Sequence, residues 1–250
     1  MEASMRALYC EDGRLRGPLS LPPPNESVYD SARHTSGDVE KIIERPPTAD
    51  LEIRSPAYNH RMAETVPTTK GTILRSLLKF VEKDLTGEQR KQALAALPAT
   101  DRQVIEQPSI LASEKVSEFM LNRLTAEAAR VKGESVESFG RRAGRAELAD
   151  AVGIYRFFII VLTPTAMLKK ASALWATVHS HGSLAVENET PRSARVRLSQ
   201  FPSEEAHCAR LSGWFEGAGE MTGVKNIRVD HDVCLIRGGP DCQWQLTWGK

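Results

Sequence analysis

Apolar positions follow a helical period from Thr69 onward and a strand period after Gly182. Leu74, Leu77, Leu78, Val81 and Leu85 recur at i, i+3, i+4 and i+7 spacing behind Gly71, which predicts a first helix. Residues 87–97 (GEQRKQALAAL) predict a second, ended by Pro98. Residues 114–131, with Val116, Met120, Leu124 and Val131 along one side, predict a third, and 135–151 a fourth. Residues 155–161 are apolar all round and read as a buried helix or strand. Pro164 opens a helix through Met167, Ala171, Leu174, Trp175 and Val178 that closes at His181-Gly182. Two hairpins then flank one more helix, 206–222: strands 184–186 and 194–198 come before it, strands 226–236 and 243–248 after it, the second pair turning at 237–241. Helices first and strands last predict the α+β class, helices packed against an antiparallel sheet whose strands are mainly C-terminal.

The first 68 residues break this pattern. They hold eight of the 14 prolines, Pro22-Pro23-Pro24 and Pro46-Pro47 among them, and no apolar period. Such a stretch cannot bury enough surface to offset its chain entropy, so residues 1–68 are expected to be a disordered tail before a single domain, 69–250. With 33 Lys+Arg against 32 Asp+Glu, the net charge of +1 supplies no one-signed field, and nucleic acid is not an expected partner. The run from Ile154 to Leu162, interrupted by Arg156, is far below the ~20 residues of a membrane span. The acidic start lacks the apolar stretch of a secretory signal, so the chain is expected in the cytoplasm with its four cysteines reduced.

Neither a G-x-S-x-G elbow, a G-x-x-x-x-G-K loop nor an H-E-x-x-H pair occurs, so no catalytic residue is assigned. Gly213, Gly217, Gly219 and Gly223 lead from helix to strand, the reverse of phosphate-loop order, and read as small residues that let two backbones approach. Arg141, Arg142 and Arg145, with Glu137 four residues before Arg141, predict a solvated, ion-paired helix face. His179 and His181 read as helix-end caps.

Cys208, His231, Cys234 and Cys242 lie within 35 residues and form a Cys₃His set, a common tetrahedral zinc constellation. If the last hairpin turns about Gly238, Cys234 and Cys242 stand opposite each other, and Cys208, on the first turn of the preceding helix, can reach them. His231 and Cys234 differ by three, which on a regular strand sends them to opposite faces, so a bulge near Asp232 is required. Two other readings remain open: the thiols are small buried hydrophobes, or Cys234 and Cys242 form a disulfide, which a reducing compartment disfavours.

The stretch Ala209 to Trp248 resembles the end of 4-vinyl-reductase-type domains, which are related to haem-NO-binding and TRAPP folds. In the aromatic-sensing activators of that family a structural zinc is held by Cys, Glu-x-x-Cys and a further Cys eight residues on. Cys208, His231, Cys234 and Cys242 match those intervals with His in place of Glu. From Lys70 to Trp248 the chain also resembles a myxobacterial paralogous family of unknown function, through KGTILRSLLKFVEKDL, VGIYRFF and the ALW at Trp175. The resemblance implies a non-enzymatic sensory module with structural zinc. Its pocket for an apolar or aromatic small molecule would draw on Tyr155, Phe157, Phe158, Trp175 and Trp214. The tyrosine-serine-arginine signature that grips haem propionates is not apparent, so no haem is expected. A TRAPP-like scaffold without ligand is the alternative. The broad stripe of the first helix, Leu77 and Phe80 included, together with the habits of related domains, predicts a homodimer, and the lack of an output domain predicts a downstream protein partner.

Overall fold

A computed structural model describes residues 66–152 and 162–249. The expected tail up to residue 65, and Tyr155, Phe157 and Phe158 of the expected pocket, lie outside the described residues. The order is β1 (Thr68–Lys70), α1 (Gly71–Asp84), α2 (Gly87–Ala95), α3 (Ala99–Ile105), β2 (Lys115–Ser117), α4 (Glu118–Lys132), α5 (Val136–Val152) and α6 (Pro164–Val178). There follow β3 (Ser183–Thr190), β4 (Ser193–Ser199), α7 (Glu205–Met221), β5 (Arg228–Val233), a 3₁₀ turn (Leu235–Arg237) and β6 (Cys242–Thr247). This is an α+β fold whose main sheet, β3-β4-β6-β5, is antiparallel throughout and drawn from the C-terminal half. Among the described residues no helix is long and apolar enough to cross a membrane.

Local chemistry accounts for some of the boundaries. Thr86 and Gln89 form a reciprocal capping box at the start of α2, and Thr163 caps α6 with Pro164 in the first turn. The third expected helix starts later than its apolar spacing implied. Lys115–Ser117 pair with Thr68–Lys70 as strands, and Val116 is buried by that pairing rather than by a helical stripe. Helix α3, only seven residues long, is too short to show a stripe and was not expected. Helix α6 ends at Val178 with His179 extended as its cap, three residues before Gly182, whose φ of 72° turns the chain into β3.

The core has two main parts. One joins α1, α2, α4 and α5 through Leu74, Leu77, Leu121, Leu124 and Phe139. Phe80 packs edge-on against Phe139, and the guanidinium of Arg142 lies 5.4 Å from both rings. Of the α1 stripe that the sequence suggested as a surplus for a second copy, Leu74, Leu77, Val81 and Leu85 are buried inside the chain, while Ile73, Leu78 and Phe80 are half-buried. The other part lies under the sheet, where Ala194, Val196 and Leu198 of β4 and Cys242, Trp244 and Leu246 of β6 face α7. The alternate residues Arg195, Arg197, Gln243 and Gln245 occupy the opposite face, where Arg195 bonds Gln243 at 2.9 Å. The arginines of α5 are ion-paired, Arg141 with Glu137 on the same helix as expected, and further with partners on other segments: Arg141 and Arg145 with Glu216, Arg145 with Glu220, and Arg142 with Asp84 and Glu134.

Helices α5 and α7 cross at backbone contact, as the glycines implied. A methyl group on Gly144 would stand 1.8 Å from the Arg210 carbonyl oxygen, and one on Gly213 would stand 1.9 Å from that of Arg141. At Gly217 the nearest atom is the end of a flexible side chain, Leu148, at 3.2 Å. Gly144→Ala and Gly213→Ala should therefore each destabilise the fold by about 1–3 kcal/mol despite the better helix propensity of alanine. Gly217→Ala should cost under about 1 kcal/mol. Urea unfolding that ranks all three alike would contradict this contact.

Candidate functional site

Helix α7 presents three faces. Ala209, Gly213 and Gly217 meet α5, while Cys208, Ser212 and Phe215 point under the sheet. His207, Arg210, Leu211 and Trp214 line a cavity. Two constellations result, one on each side of the helix.

On the sheet side, the ligand atoms of Cys208, His231, Cys234 and Cys242 all lie within 4.8 Å of one another. The Sγ of Cys242 is 3.8 Å from that of Cys208 and 4.0 Å from that of Cys234. The register between β5 and β6 slips between His231 and Val233, which is the bulge at Asp232 that brings His231 and Cys234 to one side. His231 stacks on Trp244 with centroids 4.5 Å apart, and its Nε2 is buried without a hydrogen-bond partner. The hydrogen bond with Cys208 holds the Cys242 thiol down, and the same contact, added to burial, pushes Cys208 up. Burial also pushes Cys234 up, followed by the charge of Cys242. A single thiolate thus sits among groups that resist a second, a conflict that a cation resolves. This Cys₃His cluster can hold a metal ion.

On the other side is a cavity of about 240 Å³. Trp175, Leu184, Leu211, Trp214 and Phe215 are part of its apolar wall, so two of the five pocket residues expected from sequence line it. One end is polar, formed by Glu147, His179, His207 and Arg210. Arg210, only 4% exposed, has Nε 3.0 Å from Glu147 and Nη2 3.7 Å from the buried Glu118, while Nη1 donates to Asn122. His179 is a cap by its backbone, as expected, but its ring stacks on Trp175 with centroids 4.0 Å apart and its Nδ1 lies 2.9 Å from Glu118. His181 turns away, its Nδ1 2.7 Å from the Ser180 hydroxyl. The ring of His207 stacks on Phe201, and neither of its nitrogens has a hydrogen-bond partner.

Burial sets the charges here. It works to raise Glu118, but contact with His179 and the charge of Arg210 hold that carboxyl at about 2. For Glu147 burial prevails over Arg210, and the carboxyl rises to about 7; burial drives His207 down to about 3. Glu118, Glu147, His207 and Arg210 escaped the sequence reading because no spacing links them. They come from three helices and meet only where α5 and α7 cross.

A family model described as "Protein of unknown function (DUF2378)" matches residues 67–249. No curated protein matches the chain by sequence. Among solved structures, an H-NOX protein from S. oneidensis in the Fe(II)NO ligation state aligns with a TM-score of 0.57 at 14% identity, covering 72% of this chain and 99% of that one. An Fe(II) unliganded H-NOX protein from K. algicida aligns with a TM-score of 0.56 at 12% identity, covering 72% and 97%. At such identities the likeness is one of fold.

Glu147 yields a stability test. Its folded carboxyl keeps a proton up to about pH 7, whereas the unfolded one releases it near 4.5, so the folded state binds more protons between these values. The contribution of Glu147 to stability is therefore lost as pH rises through that window. Glu147→Gln carries no such proton and should gain on the wild type by roughly 2 kcal/mol between about pH 5 and about pH 8 in urea unfolding. A gap that is constant with pH would show that the carboxyl is not buried as described.

Proposed function

We propose that this chain, which belongs to the DUF2378 family of proteins of unknown function, is a non-enzymatic, cytoplasmic sensory module. It binds a small apolar or aromatic molecule and is braced by structural zinc on Cys208, His231, Cys234 and Cys242. The observation that carries the reading is the placement of a largely apolar cavity and a four-ligand cluster on two faces of one helix. A cavity with Trp175 and Trp214 in its wall suits a ligand with an apolar body, and the H-NOX-like fold is shared with proteins solved in ligated and unliganded states.

Three thiolates and an imidazole suit zinc, whose ~2.3 Å bonds to sulfur separate tetrahedral neighbours by roughly 3.8 Å. The Sγ separations of 3.8 and 4.0 Å support that choice, and so does the unpartnered Nε2 of His231. With four protein ligands the ion would supply no reaction chemistry, only a cross-link between α7 and the β5–β6 hairpin. Haem, the cofactor named for the H-NOX family, is not part of this reading. A cavity of about 240 Å³ is below even the ~300–1,000 Å³ of ordinary small-molecule pockets, and the ring of His179 is already engaged by Trp175 and Glu118. Output through a downstream protein and pairing into a homodimer complete the proposal, the latter on the frequency of symmetric pairs among soluble proteins.

Metal analysis of reduced protein should find about one zinc per chain, and Cys242→Ser should lower both the zinc content and the melting temperature. Less than roughly a tenth of an equivalent would exclude the site. Titration with haemin should give no stoichiometric Soret shift; a saturable one would bring haem back. A chain that neither carries nor binds any small molecule would favour a ligand-free scaffold of TRAPP-like type.

A further inference from the structure

The polar end of the cavity carries information about the ligand. Side chains from four segments meet there: Glu118 from α4, Glu147 from α5, His179 at the end of α6, and His207 and Arg210 from α7. Arg210 faces a carboxylate on each side, Glu147 at 3.0 Å and Glu118 at 3.7 Å. One guanidinium is thus divided between two acids. Within the same wall both ring nitrogens of His207 are buried and have no hydrogen-bond partner, and the buried Oε1 of Glu147 has only the Nε of Arg210, at 3.0 Å and without alignment. Atoms in that condition cost free energy until a ligand or a water meets them.

The head groups a ligand could offer are not equivalent here. A carboxylate would lie beside Glu147 and compete for a guanidinium already shared, at the cost of desolvating a further negative charge. A hydroxyl could meet the unpartnered atoms but would leave the second acid without a cation. An ammonium donates hydrogen bonds to Glu147 and to an accepting nitrogen of His207, and it supplies the missing positive charge. The rings of Trp175 and Trp214 line the same cavity, and aromatic faces attract organic cations. We propose that the cavity takes a small apolar amine in its protonated form, with the ammonium at Glu147 and the hydrocarbon body against Trp175 and Trp214. This inference rests on the ligand-binding reading above and specifies its ligand class.

Because the ammonium needs the carboxylate form of Glu147, which titrates near pH 7 in the free protein, affinity rises with pH through that range. Glu118, His179, His207 and Arg210 face the same end, so the share of Glu147 is isolated by Glu147→Gln, which keeps the shape and removes the charge.

The test compares 2-phenylethylamine, 2-phenylethanol and 3-phenylpropanoate on the full chain by calorimetry, with tryptophan fluorescence as a second readout. The amine should bind about tenfold more tightly than the alcohol, and the acid more weakly than either. The amine's affinity should climb between about pH 6 and about pH 8. In Glu147→Gln the preference for amine over alcohol should collapse to within about twofold. Alcohol or acid binding as tightly as the amine, or an amine preference that survives the substitution, would overturn the assignment and leave the ligand-binding reading intact. If none of the three binds, that reading falls together with the inference. Should the variant fail to fold, the three-way comparison and the wild-type pH profile decide alone.

Discussion

The backbone contact between α5 and α7 is the constraint on which the other parts depend. Gly140 and Gly144 on one helix and Gly213 and Gly217 on the other remove the side chains that would hold the axes apart. Near backbone contact lets Arg210 of α7 reach Glu147 of α5 and places Arg141 beside Glu216. It also fixes the rotation of α7 about its own axis. With that rotation set, Cys208 lies under the sheet, where it meets Cys242, and Ser212 accepts a hydrogen bond from the indole of Trp244 at 2.9 Å.

Around this contact the protein buries Glu118, Glu147 and Arg210. Removing ionised groups from water costs several kcal/mol each, and their mutual attraction returns that cost only when geometry and hydrogen bonds are both good. Here they are uneven. Arg210 has one aligned hydrogen bond, to Asn122, and two carboxylates that approach without alignment. The cluster is weak as a source of stability and well suited to a site whose electrostatics matter, which is why its placement at the end of a cavity counts for more than its energy.

Much of this was legible in the chain. The helical stripes, the late switch to strand period and the capping residues gave the class and the order of elements. The glycines of α7 gave the close approach, though not the partner helix. The four ligands of the cluster were readable because three of them lie within twelve positions on one hairpin, and the parity of His231 and Cys234 forced the bulge that the register shows. What could not be read depends on tertiary placement. β1 and β2 are three residues each and exist by pairing with one another, β1 bridging to His179 as well. The charged end of the cavity unites Glu118, Glu147 and Arg210 across nearly a hundred positions, with nothing local to announce it. The dimer suggestion rested on a stripe of which Leu74, Leu77 and Val81 are buried against neighbours within the same chain.

The threefold division of α7 also limits how the chain can vary over time. Successive residues on a helix are rotated by about 100°, so with Cys208 held under the sheet, one residue inserted or deleted just after it would turn every later side chain onto a different face. The glycines would leave α5, Ser212 would leave Trp244, and Trp214 would leave the cavity in a single event. Length change is therefore closed to this helix, and its history has to be one of substitution within fixed register. The connection after it, 222–227, holds no fully buried residue and is where length can drift.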